Sequence, residues 1–157
     1  MAQLNRGLEP ITDRPAPMDI TLETAQRILQ SQPFSEHMGA RVTHFSPDGV
    51  ELRLPIDSKL HNQHGFVHGG ALSYMADNAL TFAGSIALGT AIVTSEFKIN
   101  YVRPANGSEL VAKAKVLHGG TRQAVCQCEI LSVADGNERL CAIAQGTIAS
   151  LSSARSA

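Results

Sequence analysis

The sequence predicts an α+β domain in which six antiparallel strands form one sheet around a single long helix. Six segments alternate apolar and polar residues, as half-buried strands do. Turn signals such as Pro47-Asp48-Gly49 and Asp135-Gly136-Asn137 separate several of these segments. A long apolar run follows the second segment and is apolar on every side, as expected for a helix that a sheet covers.

The first part of the chain has little periodicity. Residues 1–17 contain three of the seven prolines, and we expect a loosely ordered tail there. Residues 21–32 are typical of a short amphipathic helix that starts at the N-cap Thr21 and ends before Pro33. Residues 18–151 are predicted to form one domain, followed by a short C-terminal tail at 152–157.

The remaining elements follow in order. Residues 41–46 and 50–55 flank Pro47-Asp48-Gly49 and predict a hairpin. A polar loop at 57–66 leads to the long helix, predicted at about residues 69–88. The other four strands are predicted at 93–102, 109–118, 123–134 and 139–151.

Composition narrows the classes of function. The net charge is -1, Lys and Arg are not clustered and Trp is absent, so nucleic acid binding is disfavoured. The apolar run holds Asp77 near its middle, which argues against a membrane span. Residues 1–14 lack the apolar core of a signal peptide, and the three cysteines are odd in number. We therefore expect a cytoplasmic protein with reduced core thiols.

His68-Gly69-Gly70 and Asp77 are the main candidates for chemistry. A helix that starts at these glycines presents backbone N–H groups without intrahelical partners, which favour a developing negative charge. Asp77 is a carboxylate in an apolar stretch, where burial of its charge is unfavourable. An oxyanion donor and an isolated acid on one helix indicate acyl chemistry.

A longer pattern carries a family resemblance. The pattern consists of Asn62 to Leu72, then Ala76-Asp77, and later Lys98 to Tyr101 before Arg103-Pro104. Together these segments resemble the hotdog-fold acyl-CoA thioesterases, and most closely the phenylacetate-degradation (PaaI-like) branch. The resemblance covers about residues 33–151. It implies a hydrolase that converts an aryl- or medium-chain acyl-CoA to the carboxylate and free coenzyme A, without a further cofactor.

The resemblance also implies roles for individual residues. Asp77 matches the catalytic carboxylate, which acts as a nucleophile or as a general base on water. Gly69 matches the residue whose backbone N–H polarises the thioester carbonyl. Asn62 matches the residue that places the water or the acyl group. Thr94 matches a residue whose hydroxyl lies near the attacking water. His68 is included as an orienting residue.

Two further expectations concern neighbouring residues. Strand alternation places Thr94 on the opposite face from Phe97 and Ile99. Coenzyme A carries phosphates, so cations or backbone N–H groups are expected at the entrance. The candidate substrate-binding residues are Gly70, Arg103, Gly120, Thr121 and Arg122. His61, His64 and His68 lack a supporting acid at ligand spacing, so no metal site is predicted.

Helix geometry adds an expectation about assembly. Gly69 and Asp77 are eight residues apart, or about 12 Å along a helix. That separation is too large for Asp77 to attack a carbonyl held at Gly69 of its own helix. We therefore predict a homodimer with shared active sites, which the resemblance also implies, and pairing of two dimers into a tetramer.

Two other functions remain open at this point. One is a hydratase or dehydratase of acyl thioesters with the same fold, which would release no thiol. The other is a non-catalytic acyl-CoA-binding protein. The resemblance of Asn62 and Asp77 to a thioesterase site favours hydrolysis over both.

Overall fold

The computed structural model describes residues 20–151, so the tails predicted at 1–17 and 152–157 lie outside the described residues. The helices are α1 (Leu22–Gln30), α2 (Pro33–Met38) and α3 (Gly69–Leu88). The strands are β1 (Arg41–Ser46), β2 (Gly49–Pro55), β3 (Ile92–Tyr101), β4 (Glu109–Gly119), β5 (Gln123–Ala134) and β6 (Asn137–Ser150).

The six strands form one antiparallel sheet in the order β1-β2-β4-β5-β6-β3. The long helix α3 packs against its inner face, and its residues Met75, Ala79 and Leu80 are fully buried. The predicted sheet and central helix are confirmed. Because α3 is covered along much of its circumference, its sequence is apolar on nearly every side.

Turn chemistry accounts for the hairpin between β5 and β6. Asp135 and Gly136 connect the two strands with φ values of 52° and 75°. Positive φ at both central residues is the geometry whose twist matches antiparallel strands, and Asp-Gly is a preferred pair for it. The turn predicted from Asp135-Gly136-Asn137 is therefore confirmed.

The N-terminal helices form a second layer beside the sheet. Thr21 caps α1 as predicted, because its hydroxyl accepts the Thr24 N–H at 3.2 Å. The sequence did not predict α2, which begins at Pro33 and ends at Met38, followed by the C-cap Gly39 with φ 76°. Proline is compatible with the first turn of a helix, because that turn leaves its N–H groups unpaired. Pro33 therefore starts α2, whereas α1 already ends at Gln30.

The three cysteines are free and buried, as expected for core thiols. Burial raises the pKa of the Cys126 thiol to about 11. Burial, together with Glu129 nearby, raises the pKa of Cys128 further. These thiols are thus poor nucleophiles in the folded protein. No helix among residues 20–151 combines the length and hydropathy that crossing a membrane requires.

Candidate active site

Asp77 lies on α3 at the edge of the buried core. Its side chain is half-buried, and its carboxylate oxygen Oδ1 accepts a hydrogen bond of 2.6 Å from the Thr94 hydroxyl on β3. A hydrogen bond to a charged carboxylate is short and strong, so this contact orients one oxygen of Asp77. The other oxygen has no recorded partner within residues 20–151, and it remains available to a ligand.

A β-bulge on β3 places Thr94 beside Asp77. Thr94 pairs with Ile148 and Glu96 with Thr147, so Ser95 is an extra residue without an opposing partner. The extra residue reverses the alternation, and both Thr94 and Phe97 therefore face α3. The prediction that Thr94 lies on the opposite face from Phe97 was wrong for this reason. The neighbouring hydroxyl of Ser95 is on an exposed residue.

Thr81 is a site residue that the sequence analysis missed. Its hydroxyl lies 2.8 Å from the Thr94 hydroxyl and also 2.8 Å from the backbone oxygen of Asp77. A hydroxyl has one proton, so Thr81 donates it to one of these acceptors at a time. The signal was present in the sequence, because residues four apart on a helix share a face.

A cavity of about 570 Å³ adjoins Asp77. It lies between α3, the two N-terminal helices and the start of β3, and Asp77 and Thr81 are among its lining residues. Most of its other walls are apolar. We call it the Asp77 cavity; its main apolar lining residues are Ile20, Ile28, Phe34, Phe82, Ile92 and Phe97.

The start of α3 leaves the Gly69 N–H available. His68 is the N-cap, and its Nδ1 accepts the Gly70 N–H at 2.9 Å, while its backbone oxygen accepts the Ala71 N–H. No acceptor for the Gly69 N–H is recorded among residues 20–151. His68 therefore orients this turn as a hydrogen-bond acceptor, and Gly69 presents the unpaired donor.

Tyr101 holds the Gly69 segment from the side. Its hydroxyl donates to the Gly69 backbone oxygen at 3.0 Å and lies 2.8 Å from the Ser73 hydroxyl. A Cβ added to Gly69 would meet the Tyr101 ring at 3.4 Å, which is an ordinary contact. The ring thus limits the space beside Gly69 without closing it.

Asn62 shapes the loop before α3. Its Oδ1 accepts the backbone N–H groups of His64 at 2.9 Å and of Phe66 at 3.3 Å. A side-chain oxygen used in this way stabilises a local turn. The side-chain NH₂ of Asn62 makes no recorded bond within the described residues. Asn62 therefore has a structural role that the sequence did not predict, together with a donor that is still available.

Asn62 and Gly69 line a second cavity, of about 350 Å³. Arg103 and Tyr101 line it as well. The Arg103 guanidinium donates to the Leu140 backbone oxygen at 3.0 Å, and the residue is exposed. The predicted site residues of one chain are thus divided, with Asn62, Gly69 and Arg103 in this cavity and Gly70 and Asp77 in the Asp77 cavity.

The loop between β4 and β5 lies apart from both cavities. Gly120, Thr121 and Arg122 are exposed and line a separate depression beside Gln123 and Ala149. The Gly120 N–H is already donated to the Gln123 backbone oxygen at 2.8 Å. It is therefore not available to a phosphate, and Thr121 and Arg122 are the remaining candidates in this loop. Among residues 20–151, no three His, Cys, Asp or Glu side chains are grouped as metal ligands.

Known proteins are similar to this chain in sequence and in fold. A family model described as Thioesterase superfamily matches residues 64–138. The 1,4-dihydroxy-2-naphthoyl-CoA hydrolase of Escherichia coli is 33% identical over 113 residues, which cover 71% of this chain and 81% of that protein. A proofreading thioesterase of Cronobacter turicensis is 29% identical over 108 residues, which cover 68% of this chain and 77% of that protein. A crystal structure of a thioesterase family protein from Silicibacter pomeroyi matches with a TM-score of 0.77 and 31% identity, covering 83% of this chain and 98% of that chain.

Proposed function

This chain belongs to the thioesterase superfamily, has the hotdog fold and is a thioester hydrolase; on that basis we propose that it hydrolyses an aryl- or medium-chain acyl-CoA. The observation that carries the proposal is the half-buried Asp77 carboxylate, held by the Thr94 hydroxyl at 2.6 Å beside a largely apolar cavity. An apolar cavity accommodates an acyl group, and the adjacent carboxylate supplies a base or nucleophile.

The reaction needs few catalytic groups. Asp77 removes a proton from water as the water oxygen bonds to the thioester carbon, or it attacks that carbon itself. The carbonyl oxygen becomes an oxyanion, which the Gly69 N–H stabilises. The carbon–sulfur bond then breaks, and the sulfur leaves as a thiolate whose conjugate acid has a pKa of about 8.5. Such a leaving group departs without a strong general acid, and no separate cofactor takes part.

The proposed active site is shared between two chains. Gly69 and Asp77 lie on one helix at a separation of about 12 Å, so an antiparallel helix of a partner is needed to bring them together. The edge strand β3 supports such an assembly, because its outer side has no partner strand among residues 20–151 of one chain. We propose a homodimer joined along β3, with pairs of dimers forming the tetramer.

The cationic residues expected at the entrance of the active site remain candidates for binding the phosphates of coenzyme A. Arg103 lines the cavity that contains Gly69, so it is the favoured partner for the phosphates. Thr121 and Arg122 are candidates only if assembly brings their loop to a neighbouring site. The three free thiols fit a reducing compartment, which supports the expectation of a cytoplasmic enzyme.

The first experiment is thiol release from a panel of aryl- and alkyl-acyl-CoAs by the wild type and by Asp77→Asn. We expect the wild type to release thiol and the variant to lose about 10²- to 10⁴-fold in kcat, because the amide cannot act as a base. Circular dichroism and the oligomeric state of the variant control for folding. Absence of thiol release by the wild type on every substrate would contradict the proposal, and a variant of unchanged kcat would remove Asp77 from the mechanism.

A single turnover in oxygen-18 water tests for direct attack by Asp77. Direct attack gives an anhydride, and water that hydrolyses this anhydride at the Asp77 carbonyl leaves labelled oxygen in the Asp77 carboxylate, so a labelled Asp77 shows direct attack. Attack by water leaves the carboxylate unlabelled and places the isotope only in the product acid.

A further inference from the structure

Tyr101 on β3 contacts the start of α3, where the proposed oxyanion donor lies. Its hydroxyl donates a hydrogen bond of 3.0 Å to the Gly69 backbone oxygen. The same hydroxyl lies 2.8 Å from the hydroxyl of Ser73, about one turn further along α3. A phenolic hydroxyl has one proton, so Ser73 donates to Tyr101 while Tyr101 donates to Gly69. The proposed chemical steps use neither of these hydroxyls.

Two consecutive glycines form the first turn of α3. Neither glycine has a Cβ, so steric contacts restrict their backbone dihedral angles less than those of other residues. An oxyanion donor is effective only when its N–H already points at the position of the developing charge, and a misplacement of about 1 Å can cost about 10²-fold in rate. The first turn therefore needs contacts that fix its orientation.

Hydrogen bonds hold the peptide groups on both sides of the Gly69 Cα. The group before it carries the available Gly69 N–H, and the oxygen of this group, on His68, accepts the Ala71 N–H at 2.9 Å. The group after it donates the Gly70 N–H to His68 Nδ1 at 2.9 Å, and its oxygen accepts from Tyr101. A peptide group is planar, so bonds at both of its ends fix its orientation.

The bond from Tyr101 differs from the other two because it comes from the sheet. The bonds from Ala71 and to His68 lie within the turn, so they can move together with it. Tyr101 lies on β3, where it pairs with Ala142 of β6. Among the hydrogen bonds recorded for these two peptide groups within residues 20–151, the Tyr101 bond is the one that a side chain of another element makes. It therefore fixes the turn relative to the rest of the fold.

We propose that Tyr101 is a positioning residue, which directs the Gly69 N–H at the thioester carbonyl by holding the adjacent peptide group. This inference rests on the proposed function, since it requires Gly69 to be the oxyanion donor. Thr94 orients the Asp77 carboxylate in one site of the proposed dimer. Tyr101 orients the Gly69 turn in the other site, so each β3 contributes to both sites.

Tyr101→Phe tests the proposal, because it removes the hydroxyl and keeps the ring. Tyr101 is 52% exposed, so its hydroxyl competes with water and contributes little to stability. We expect the variant to fold, with unchanged urea denaturation and oligomeric state. With the acyl-CoA that the wild type hydrolyses fastest, kcat should fall by about 3- to 10-fold while KM stays within about twofold, because the donor acts mainly in the transition state.

The same substitution in a Gly69→Pro protein is the matched control. Proline at this position lacks the N–H, so no donor is left for Tyr101 to direct. We expect Tyr101→Phe to change the kcat of Gly69→Pro by less than about twofold. A general loosening of the fold would instead lower kcat by the same factor with and without the Gly69 N–H.

Several outcomes would overturn the role of Tyr101. An unchanged kcat in Tyr101→Phe is one, and a rise in KM alone is another, since it would indicate direct binding of substrate. Equal losses of kcat in the wild-type and Gly69→Pro backgrounds would also overturn it. A Gly69→Pro protein with wild-type kcat would remove Gly69 as the donor and the role of Tyr101 with it. In each case the wild type still releases thiol, whereas failure of the proposed function gives no thiol from any substrate.

Discussion

At the scale of residues, hydrogen bonds distinguish groups that the sequence presents as equivalent. Gly69 and Gly70 are adjacent glycines at the start of α3, yet the Gly70 N–H is donated to His68 and the Gly69 N–H has no recorded acceptor within residues 20–151. Only an unpaired N–H can respond to negative charge that develops on a substrate. Gly69 is therefore the better candidate for the oxyanion donor.

Gly69→Pro tests this donor directly. Proline lacks the N–H and is well accommodated at the first position of a helix. His68, which precedes it, already has the extended backbone that a following proline requires, with φ -61° and ψ 137°. We expect kcat to fall by about 10²- to 10³-fold with little change in the free energy of unfolding.

Gly69→Ala is the matched control for that variant, because alanine keeps the N–H. Its Cβ would lie at an ordinary 3.4 Å from the Tyr101 ring. Steady-state thiol release should therefore show most of the wild-type kcat. Equal losses in the proline and alanine variants would show that the space beside Gly69 matters and its N–H does not.

The Thr94 hydroxyl is the second group to test at this scale. It donates to Asp77 at 2.6 Å and lies 2.8 Å from Thr81, so it orients the carboxylate. We expect Thr94→Val to lower kcat by about tenfold or more with a smaller effect on KM, because a misoriented carboxylate fails mainly in the chemical step. Thr94→Ser keeps the hydroxyl and should retain most of the activity. A fully active Thr94→Val would show that Asp77 does not depend on this bond.

At the scale of elements, the β-bulge in β3 determines whether the strand contributes to the site. The extra residue Ser95 lets both Thr94 and Phe97 face α3. Gly146 on β6 accommodates this part of β3, because a Cβ there would lie 2.6 Å from both the Glu96 backbone oxygen and the Phe97 Cβ. The site on β3 thus depends on a glycine of the neighbouring strand.

Gly146→Ala should disturb both stability and activity. The added methyl group meets a backbone oxygen and a Cβ that cannot rotate away, so we expect a loss of about 1–3 kcal/mol in the free energy of unfolding, measured by urea denaturation. The accompanying shift of β3 should lower kcat through Thr94. Thr147→Ser, at the next position, keeps the hydroxyl that donates to Glu96 and should change neither quantity. A Gly146→Ala protein as stable as the wild type would show that β3 has room to move.

At the scale of the whole molecule, the division of the site residues between two cavities is the main consequence of the fold. Asn62, Gly69 and Arg103 line one cavity, and Gly70 and Asp77 line the other. A rigid helix keeps Gly69 and Asp77 apart within a chain, whatever their side chains do. The proposed chemistry therefore requires the association of two chains.

Mixing of inactive variants tests the shared site. Asp77→Asn and Gly69→Pro are co-expressed or mixed after reversible dissociation. In a mixed dimer one site combines the intact Asp77 of one chain with the intact Gly69 of the other. Random pairing should thus restore about a quarter of the wild-type activity, because about half of the dimers are mixed and each has one intact site. No recovery in dimers shown to be mixed would place Gly69 and Asp77 of each site on the same chain.

Most of the fold could be predicted from local patterns. The predicted hairpin of β1 and β2, the long helix and the four later strands agree with the structure to within two residues at each boundary. The alternation of apolar and polar residues along a strand and the Gly-rich turns can both be recognised from neighbouring residues alone. The six-residue helix α2 was missed because it is too short to show a helical period.

The site was predicted less completely, for reasons that differ between residues. Thr81 could have been found from its spacing of four from Asp77 on one helix. The role of Asn62 in its loop could not have been predicted, because it depends on the directions of the His64 and Phe66 N–H groups.

The sequence by itself determined the order of the elements, the family pattern and the candidate acid Asp77, since these depend on residues close together in the chain. Only the tertiary structure decided which face of β3 carries Thr94, which glycine N–H is unpaired and which residues share a cavity. The face of β3 depends on β6 through the bulge, and the Asp77 cavity depends on the N-terminal helices, which are far away in the sequence. The pairing of the Gly70 N–H depends on the conformation of the nearby His68 side chain. Side-chain periodicity carries no information about such partners, because it describes one element at a time.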